Sequence, residues 1–343
     1  MGIAFKDLII SEEIEISSLT GKKLAVDAHN TIFQFLTTIR AADGTPLKDS
    51  KGNVTSHLVG LFSRTAKLMQ SGLKLAFVFD GKAPDLKQKT REQRSALKDA
   101  AFEKYKEAAK REDVDEMRKY AAQSVRLTPE IIEESKQLLS LLGIPIVQAP
   151  SEAEAQAAFM ASSGAVFAAV SQDYDSLVNG APKLIRNLSI SGKRKKANKL
   201  SYEAAKPEMI DLALNLNNLG IDRSQLIALG MLVGTDYNPG GIKGIGPKNA
   251  LKLVKKHGTD FEALFKEAKW GESFEFGWNE VFYLIKNIPV TEDYSLQWKG
   301  ADIEGVKEML LKKDFSEQRI NLALENLAKN TEKKSQKGLS EFF

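Results

Sequence analysis

The sequence predicts an α/β protein built on a central, mainly parallel, twisted sheet flanked by helices. Three observations carry that prediction. Short apolar runs alternate with amphipathic helical stretches along the first half of the chain, the order that builds parallel βαβ units. The runs are apolar without alternation, as in strands covered on both faces. They also end in acids: Asp27 closes one, Asp80 follows a second and Asp173 follows a third. In an open parallel sheet those ends lie along one edge, where such folds bind their ligands.

Taken in order, Lys22–Asp27 is the first strand, entered from the turn Thr20-Gly21. A helix follows with Ile32, Phe33, Phe35 and Leu36 on its apolar face. Residues 42–53, rich in Gly, Pro and polar side chains, form a loop. A helix over His57–Ser71 stops at Gly72, and Leu73–Phe79 is the second strand. From Lys82 to Arg126 the chain changes character: 13 Lys or Arg stand against 9 Asp or Glu, apolar residues are sparse, and the Ala, Gln, Glu and Lys content favours helix. Such a stretch buries itself poorly, so it is expected to project from the body. Thr128 caps the next helix with Pro129 in its first turn, and Gly143 ends it before the strand Ile144–Val147. Further strands are expected at Ala165–Val170 and Leu184–Leu188, and helices at Pro207–Leu219, Ser224–Val233 and Pro247–Lys256. The remainder to about Leu327 reads as helical.

Between Gln148 and Ser176 four carboxylates fall in two pairs. Ser151 is the expected N-cap of an Ala-rich helix, with Glu154 completing a capping box. Glu152 and Glu154, two apart, point to opposite sides of a helix, so they share one centre only if the helix end itself meets it. Asp173 and Asp175 follow the strand Ala165–Val170. With Asp27, Asp80 and Asp236, one cleft would hold seven carboxylates, whose mutual repulsion raises pKa values unless cations neutralise it. The absence of cysteine excludes disulfides, zinc clusters and thiol catalysis, and three histidines disfavour a His-ligated metal. The expected cation is therefore hard and oxygen-bound, Mg²⁺ or Mn²⁺. Two such ions about 3.5–4 Å apart clamp the attacking and leaving oxygens of a phosphoryl displacement.

The net charge of +4 is too small to identify a polyanionic partner, but its distribution is informative. Arg186–Lys199 carries six basic residues and no acid. In Gly234–Ala250 the turn GIKGIG leads into a helix, with Lys243, Lys248, Lys252, Lys255 and Lys256 around it. Glycines let the backbone approach a phosphate closely, and the N–H groups of a helix start attract it. Singly, each signal has an ordinary reading: a capping box, a turn-forming Asp, a solvated basic face. Together, and in this order, they point to phosphoryl chemistry on a nucleic-acid backbone. No run approaches a membrane span, and the N-terminus has neither the basic flank nor the cleavage site of a signal peptide.

With these residues in view, the sequence resembles the flap endonucleases, structure-specific 5′ nucleases of the superfamily that includes the XPG-type repair nucleases. The matching stretches are MGI at the N-terminus, VDAHNTIFQFL (26–36), TSHLVGLFSRT (55–65), VFDGKAPDLK (78–87), LLGIPIVQAPSEAEAQAA (141–158), SQDYDSL (171–177) and GTDYNPGGIKGIGPKNA (234–250). The resemblance implies a PIN-like 5′ nuclease fold in a nuclease domain over 1–326. Within it lie an N-terminal region 1–105, a helical arch at about 84–127, and an internal region 123–255 with a helix-hairpin-helix at about 234–257. The family's metal-binding acids match Asp27, Asp80, Glu152, Glu154, Asp173, Asp175 and Asp236, implying two Mg²⁺ with Mn²⁺ as a substitute. Its basic pair at the foot of the arch matches Lys87 and Arg94, which would contact the scissile phosphate. DNA contacts are implied for Gly2, Phe33, Arg64, Lys193, Arg194, Lys195, Gly244, Gly246, Lys248 and Lys252, with a monovalent cation at the helix-hairpin-helix. The implied reaction is hydrolysis of a phosphodiester near the junction of branched DNA bearing a 5′ flap. A 5′–3′ exonuclease activity accompanies it, in Okazaki fragment maturation and DNA repair.

Two departures stand out: Phe33 occupies a position where the family usually has Tyr, losing a hydroxyl, and Ala83 replaces a frequent Pro. The tail 327–343 is expected to be flexible. Its last eight residues place Gln336, Leu339, Phe342 and Phe343 in a pattern similar to the sliding-clamp (PCNA-type) binding box, two rings and an aliphatic side chain offered to an apolar pocket. The chain then stops without a basic targeting tail, resembling archaeal members, so a cytoplasmic monomer is expected. Two rivals remain: a catalytically silent junction- and clamp-binding protein, and a metal-dependent phosphatase of small substrates.

Overall fold

The computed structural model describes the backbone of residues 3–41, 43–188, 193–195, 202–204 and 206–340, and their side chains except in 193–195, 202–204 and 329–340. Five strands are mutually parallel: β2 (Lys23–Asp27), β3 (Lys74–Phe79), β4 (Ile146–Gln148), β5 (Ala168–Val170) and β6 (Lys183–Arg186). Two antiparallel strands extend the edge beyond β6: β9 (Glu208–Asp211) pairs with it, and β1 (Glu12–Glu13) pairs with β9. The order is β1-β9-β6-β5-β2-β3-β4, and β7 (Lys193–Lys195) and β8 (Tyr202–Ala204) pair antiparallel in a separate two-stranded sheet. The order reverses beside β2, because the chain runs outward through β3 and β4 and then crosses back to lay β5 on the other side. The acid-bearing ends of β2, β3 and β5 are thus neighbours at a topological switch point.

The period of two along each strand feeds two cores. Leu24, Val26, Leu75, Phe77 and Phe79 face one core, built with the helix Pro129–Leu141; Ala25, Val78 and Val147 face the other. On the second face small residues meet the Ala-rich helix Ala153–Ser162, so backbone and helix pack closely and the start of that helix is held at the sheet edge. Gly81, just past β3, is confined: a Cβ there would stand 2.2 Å from the Ala149 carbonyl oxygen. Its N–H donates to Ser151 O at 2.6 Å, and Lys82 N–H donates to Pro150 O at 3.2 Å.

The basic excursion is a helical hairpin, Gln88–Lys110 and Val114–Gln123, packed through Ala101, Ala108 and Ala121. Glu112, at φ 55°, makes the turn, and Asp113 caps the second helix by accepting from Glu116 N–H. Arg126 fastens the far foot to the first helix through Ser95 and Asp99, the latter at 2.6 Å.

Four expectations need correction. The helix at Pro207–Leu219 is a strand, Glu208–Asp211, followed by a shorter helix, Leu212–Leu219. Pairing on both sides, to β6 and β1, overrides helical propensity there, and Asp211 caps the helix that remains. The helix starting at Ala153 takes Glu152, not Ser151, as N-cap, and no side chain of its own caps it. Asp80 Oδ1 accepts from Ala153 N–H at 2.7 Å instead, so an acid from β3 does the work of the expected capping box. The helix expected over His57–Ser71 runs from Ser56 to Gln70 with a π-turn at Leu61–Thr65 in its middle. Past Asn287 the chain is irregular rather than helical until Ile303, tied to the body by Trp298 Nε1–H on Leu75 O at 2.7 Å. The helix Glu317–Ser340 runs through the segment expected as a tail.

Candidate active site

The centre begins where β2 ends. Asp27 leaves the strand as the N-cap of the helix Ala28–Thr38, its side chain accepting from Asn30 N–H at 3.0 Å. Asn30 Nδ2 then donates to Asp173 Oδ2 at 2.9 Å. Ser171 Oγ, between β5 and Asp173, donates to Glu154 Oε1 at 3.1 Å and lies 3.4 Å from Asp27 Oδ2. Asp80 Oδ2 lies 2.5 Å from His29 Nδ1. Asp175 Oδ1 accepts from Ile3 N–H at 3.1 Å, which ties the N-terminal segment to the centre. Because Glu152 caps and Glu154 opens the same helix, the helix end does meet the cluster, as sharing one centre requires.

The other side of the centre is cationic. Lys87, at the root of the helical hairpin, places Nζ 2.5 Å from Glu152 Oε1 and 3.0 Å from Asp236 Oδ2. Arg94, two turns along, grips Asp236 in a forked pair through Nη1 and Nη2. Thr90 Oγ1 donates to the Asp236 carbonyl at 2.8 Å, so the hairpin is stitched to this segment by three residues of one helix face. A cavity of about 350 Å³ opens here, lined by His29, Asp80, Lys87, Arg94 and Glu152 among others.

Electrostatics divides the acids. Burial, reinforced by neighbouring carboxylates, pushes Asp27 and Asp175 up to about 7, and raises Glu154 well above the carboxylate range. Burial acts on Asp80 and Asp236 in the same direction, but the His29 contact on one and the Lys87 and Arg94 charges on the other outweigh it, holding both below the usual value. Among the described residues no three His, Asp or Glu side chains are disposed to close on one ion. Glu152 and Asp236 are instead paired with the cations of Lys87 and Arg94. The donor set nevertheless fits hard divalent cations: it is all oxygen, largely buried, and carries like charges whose repulsion is written in the raised pKa values.

The remaining expected residues are dispersed. Phe33 is half-buried with Lys98 Nζ 5.2 Å from its ring centroid. Arg64 sits half-buried on the π-turn Leu61–Thr65, where burial lowers its guanidinium pKa. Gly244 has φ 84°, and Gly246 is the N-cap of the helix Pro247–His257; a Cβ at either would meet open space. Lys248 and Lys252 are exposed on that helix. Lys193, Arg194 and Lys195 form β7, their side chains outside the described residues, as are those of Gln336 and Leu339. Gly2, Phe342 and Phe343 lie outside the described residues altogether. The sequence reading missed His29, Asn30 and Ser171. The available signal was position: each lies within three residues of a strand-terminal acid.

Two family descriptions match the chain, the XPG N-terminal domain over residues 1–101 and the XPG I-region over 143–236. Flap endonuclease 1 of Pyrococcus abyssi is 51% identical over all of this chain and 98% of its own length, and that of Thermococcus onnurineus 49% over all of this chain and 99% of its own. The chain belongs to the flap endonucleases. A solved flap endonuclease-1 from Methanococcus jannaschii superposes with a TM-score of 0.76 at 41% identity, covering 97% of this chain and all of that one. The catalytic core of Rad2 in complex with DNA substrate superposes at 0.70 with 26% identity, covering 95% of this chain and all of that one. As a flap endonuclease the chain is a metal-dependent nuclease that hydrolyses phosphodiester bonds, and its α/β sheet is that family's fold.

Proposed function

We propose that this nuclease cuts 5′ flaps at the junction of branched DNA, with two divalent ions, Mg²⁺ or Mn²⁺, held by Asp27, Asp80, Glu152, Glu154, Asp173, Asp175 and Asp236. The observation that carries the reading is the meeting of Lys87 and Arg94, from the root of a basic helical hairpin, with Glu152 and Asp236 of the buried acid cluster. That Lys87 and Arg94 line one cavity with Asp80 and Glu152 supports the reading. When bound, the two ions supply an activated water nucleophile and neutralise charge on the leaving oxygen. Lys87 and Arg94 exchange their carboxylate partners for the scissile phosphate and stabilise its developing charge. Phe33 offers a stacking face beside Lys98, and a face needs no hydroxyl. The hairpin acts as an arch over the 5′ strand. Gly244, Gly246, Lys248 and Lys252, at the start of the helix Pro247–His257, grip duplex phosphates with a monovalent cation.

The Gln336, Leu339, Phe342, Phe343 pattern supports docking to a sliding clamp through the end of the chain. The centre is assembled from residues of a single chain, consistent with a monomer. Among the described residues no helix is long and apolar enough to cross a membrane. A 5′-labelled double-flap DNA tests the reading, incubated with Mg²⁺ and again with the metal chelated. Metal-dependent release of the whole flap near the junction is expected. Tight junction binding without cutting would leave only a silent scaffold.

A further inference from the structure

We propose that the first turn of the helix Ala28–Thr38 is a positioning device for the metal centre, in which His29 orients the carboxylate of Asp80 and Asn30 that of Asp173. The proposal rests on the reading of the seven acids as metal ligands and deepens it. The sheet order supplies the logic. β2 lies between β3 and β5, so the helix that rises from the end of β2 starts above both neighbours. Asp80 comes off β3 on one side and Asp173 off β5 on the other. Successive residues of the helix start therefore serve three strands: Asp27 is itself an acid of the centre, His29 reaches the acid of β3, and Asn30 reaches the acid of β5.

Each contact is itself held in place. The His29 ring stands edge-on to Phe79 with centroids 5.9 Å apart and planes at 85°, which fixes the direction of Nδ1. Asp80 is then bound at both oxygens, Oδ2 by His29 at 2.5 Å and Oδ1 by Ala153 N–H at 2.7 Å. A carboxylate has about four acceptor sites, so two remain on Asp80 in a fixed direction. Asn30 is used at both ends of its amide: Nδ2 donates to Asp173 at 2.9 Å, and Oδ1 accepts from Gln172 N–H at 3.3 Å. That second contact rules out the flipped amide, which would turn an oxygen onto Asp173. Neither residue needs to touch an ion or the DNA. Their effect is to remove rotamers in which Asp80 and Asp173 face away from the centre.

Mn²⁺ binding to the DNA-free protein, followed by loss of the free-ion electron paramagnetic resonance signal, reads this directly. Wild-type protein should bind Mn²⁺ and Asp173→Ala should lose most of it; failure of the wild type to bind would sink the carboxylate-centre reading itself, before any positioning variant is made. Against that baseline, His29→Ala and Asn30→Leu should each weaken binding about 10- to 100-fold, the range seen when partners of metal ligands are removed, while His29→Asn stays within about threefold. Asparagine carries an N–H donor at the Nδ1 position of histidine, so rescue by it distinguishes orientation from bulk. In flap cleavage the variants should raise the Mn²⁺ concentration needed for half-activity, with KM for DNA unchanged and kcat recovered at saturating metal. Melting temperatures in chelator check that the variants fold. Two results overturn the proposal: His29→Ala binding Mn²⁺ as the wild type does, or a nitrogen hyperfine coupling on bound Mn²⁺ that disappears in His29→Ala, which would make His29 a ligand.

Discussion

The two sides of the acid cluster differ in how they cope with buried charge. On the sheet side, burial and the neighbouring carboxylates raise Asp27, Glu154 and Asp175 above the usual carboxylate range, Asp27 and Asp175 to about 7. On the hairpin side, Lys87 pairs with both Glu152 and Asp236 and Arg94 with Asp236, and Asp236 is held below the usual carboxylate range. Burial is common to both sides, so it is the basic hairpin root that makes the difference. One side is primed for added cations. The other already has cations, which must give way or be shared.

That contrast can be broken most severely from the sheet side. Asp175→Asn removes a charge that no protein cation replaces, and flap cleavage should fall about 10³-fold or more while DNA affinity changes little; the loss of several kcal/mol of metal-supplied stabilisation sets the scale. Unchanged cleavage would show that Asp175 is only structural. On the hairpin side, Lys87→Ala should cost about 10²–10³ in single-turnover rate, as loss of one charge-stabilising donor does. The same variant frees Glu152 and removes one of the two cations on Asp236, so its DNA-free Mn²⁺ affinity should rise. A fall would erase the distinction between the two sides.

A smaller effect concerns pH. Asp175 has a folded pKa of about 7 against an ordinary 3.8. Its contribution to stability is therefore complete below about pH 4 and is lost as pH rises through about 7, a change on the order of a few kcal/mol. Denaturant titrations in chelator, wild type against Asp175→Asn, should show the wild type losing more stability between pH 5 and 8, and added Mg²⁺ should flatten the difference. The least effect lies outside the cluster: Lys252→Ala should weaken duplex binding modestly and reduce the salt slope by about 1, without altering cleavage at saturating DNA.

Much of this was legible in the sequence because strand ends are. Asp27, Asp80 and Asp173 mark the exits of three apolar runs, and a parallel sheet gathers such exits on one edge. Glu208–Asp211 was illegible for the opposite reason: only pairing with β6 and β1 makes it a strand, and its residues read locally as a helix start. Ser151 looked like a cap, but the true cap partner, Asp80, is 73 residues away from the amide it satisfies. His29 and Asn30 were overlooked because their significance depends on which strands flank β2, information carried by topology and not by spacing.

Gly81 has a further consequence. Its backbone is wedged against Ala149 and Pro150, and the opposite foot is fastened by Arg126 to Ser95 and Asp99. The hairpin is thus a ruler with its zero mark fixed to the sheet. Residues inserted near Gly81 would displace Lys87 and Arg94 from the acids, whereas residues added at the turn by Glu112 would change only how far the hairpin reaches. Its reach is a dimension that engineering can vary independently of the chemistry beneath it.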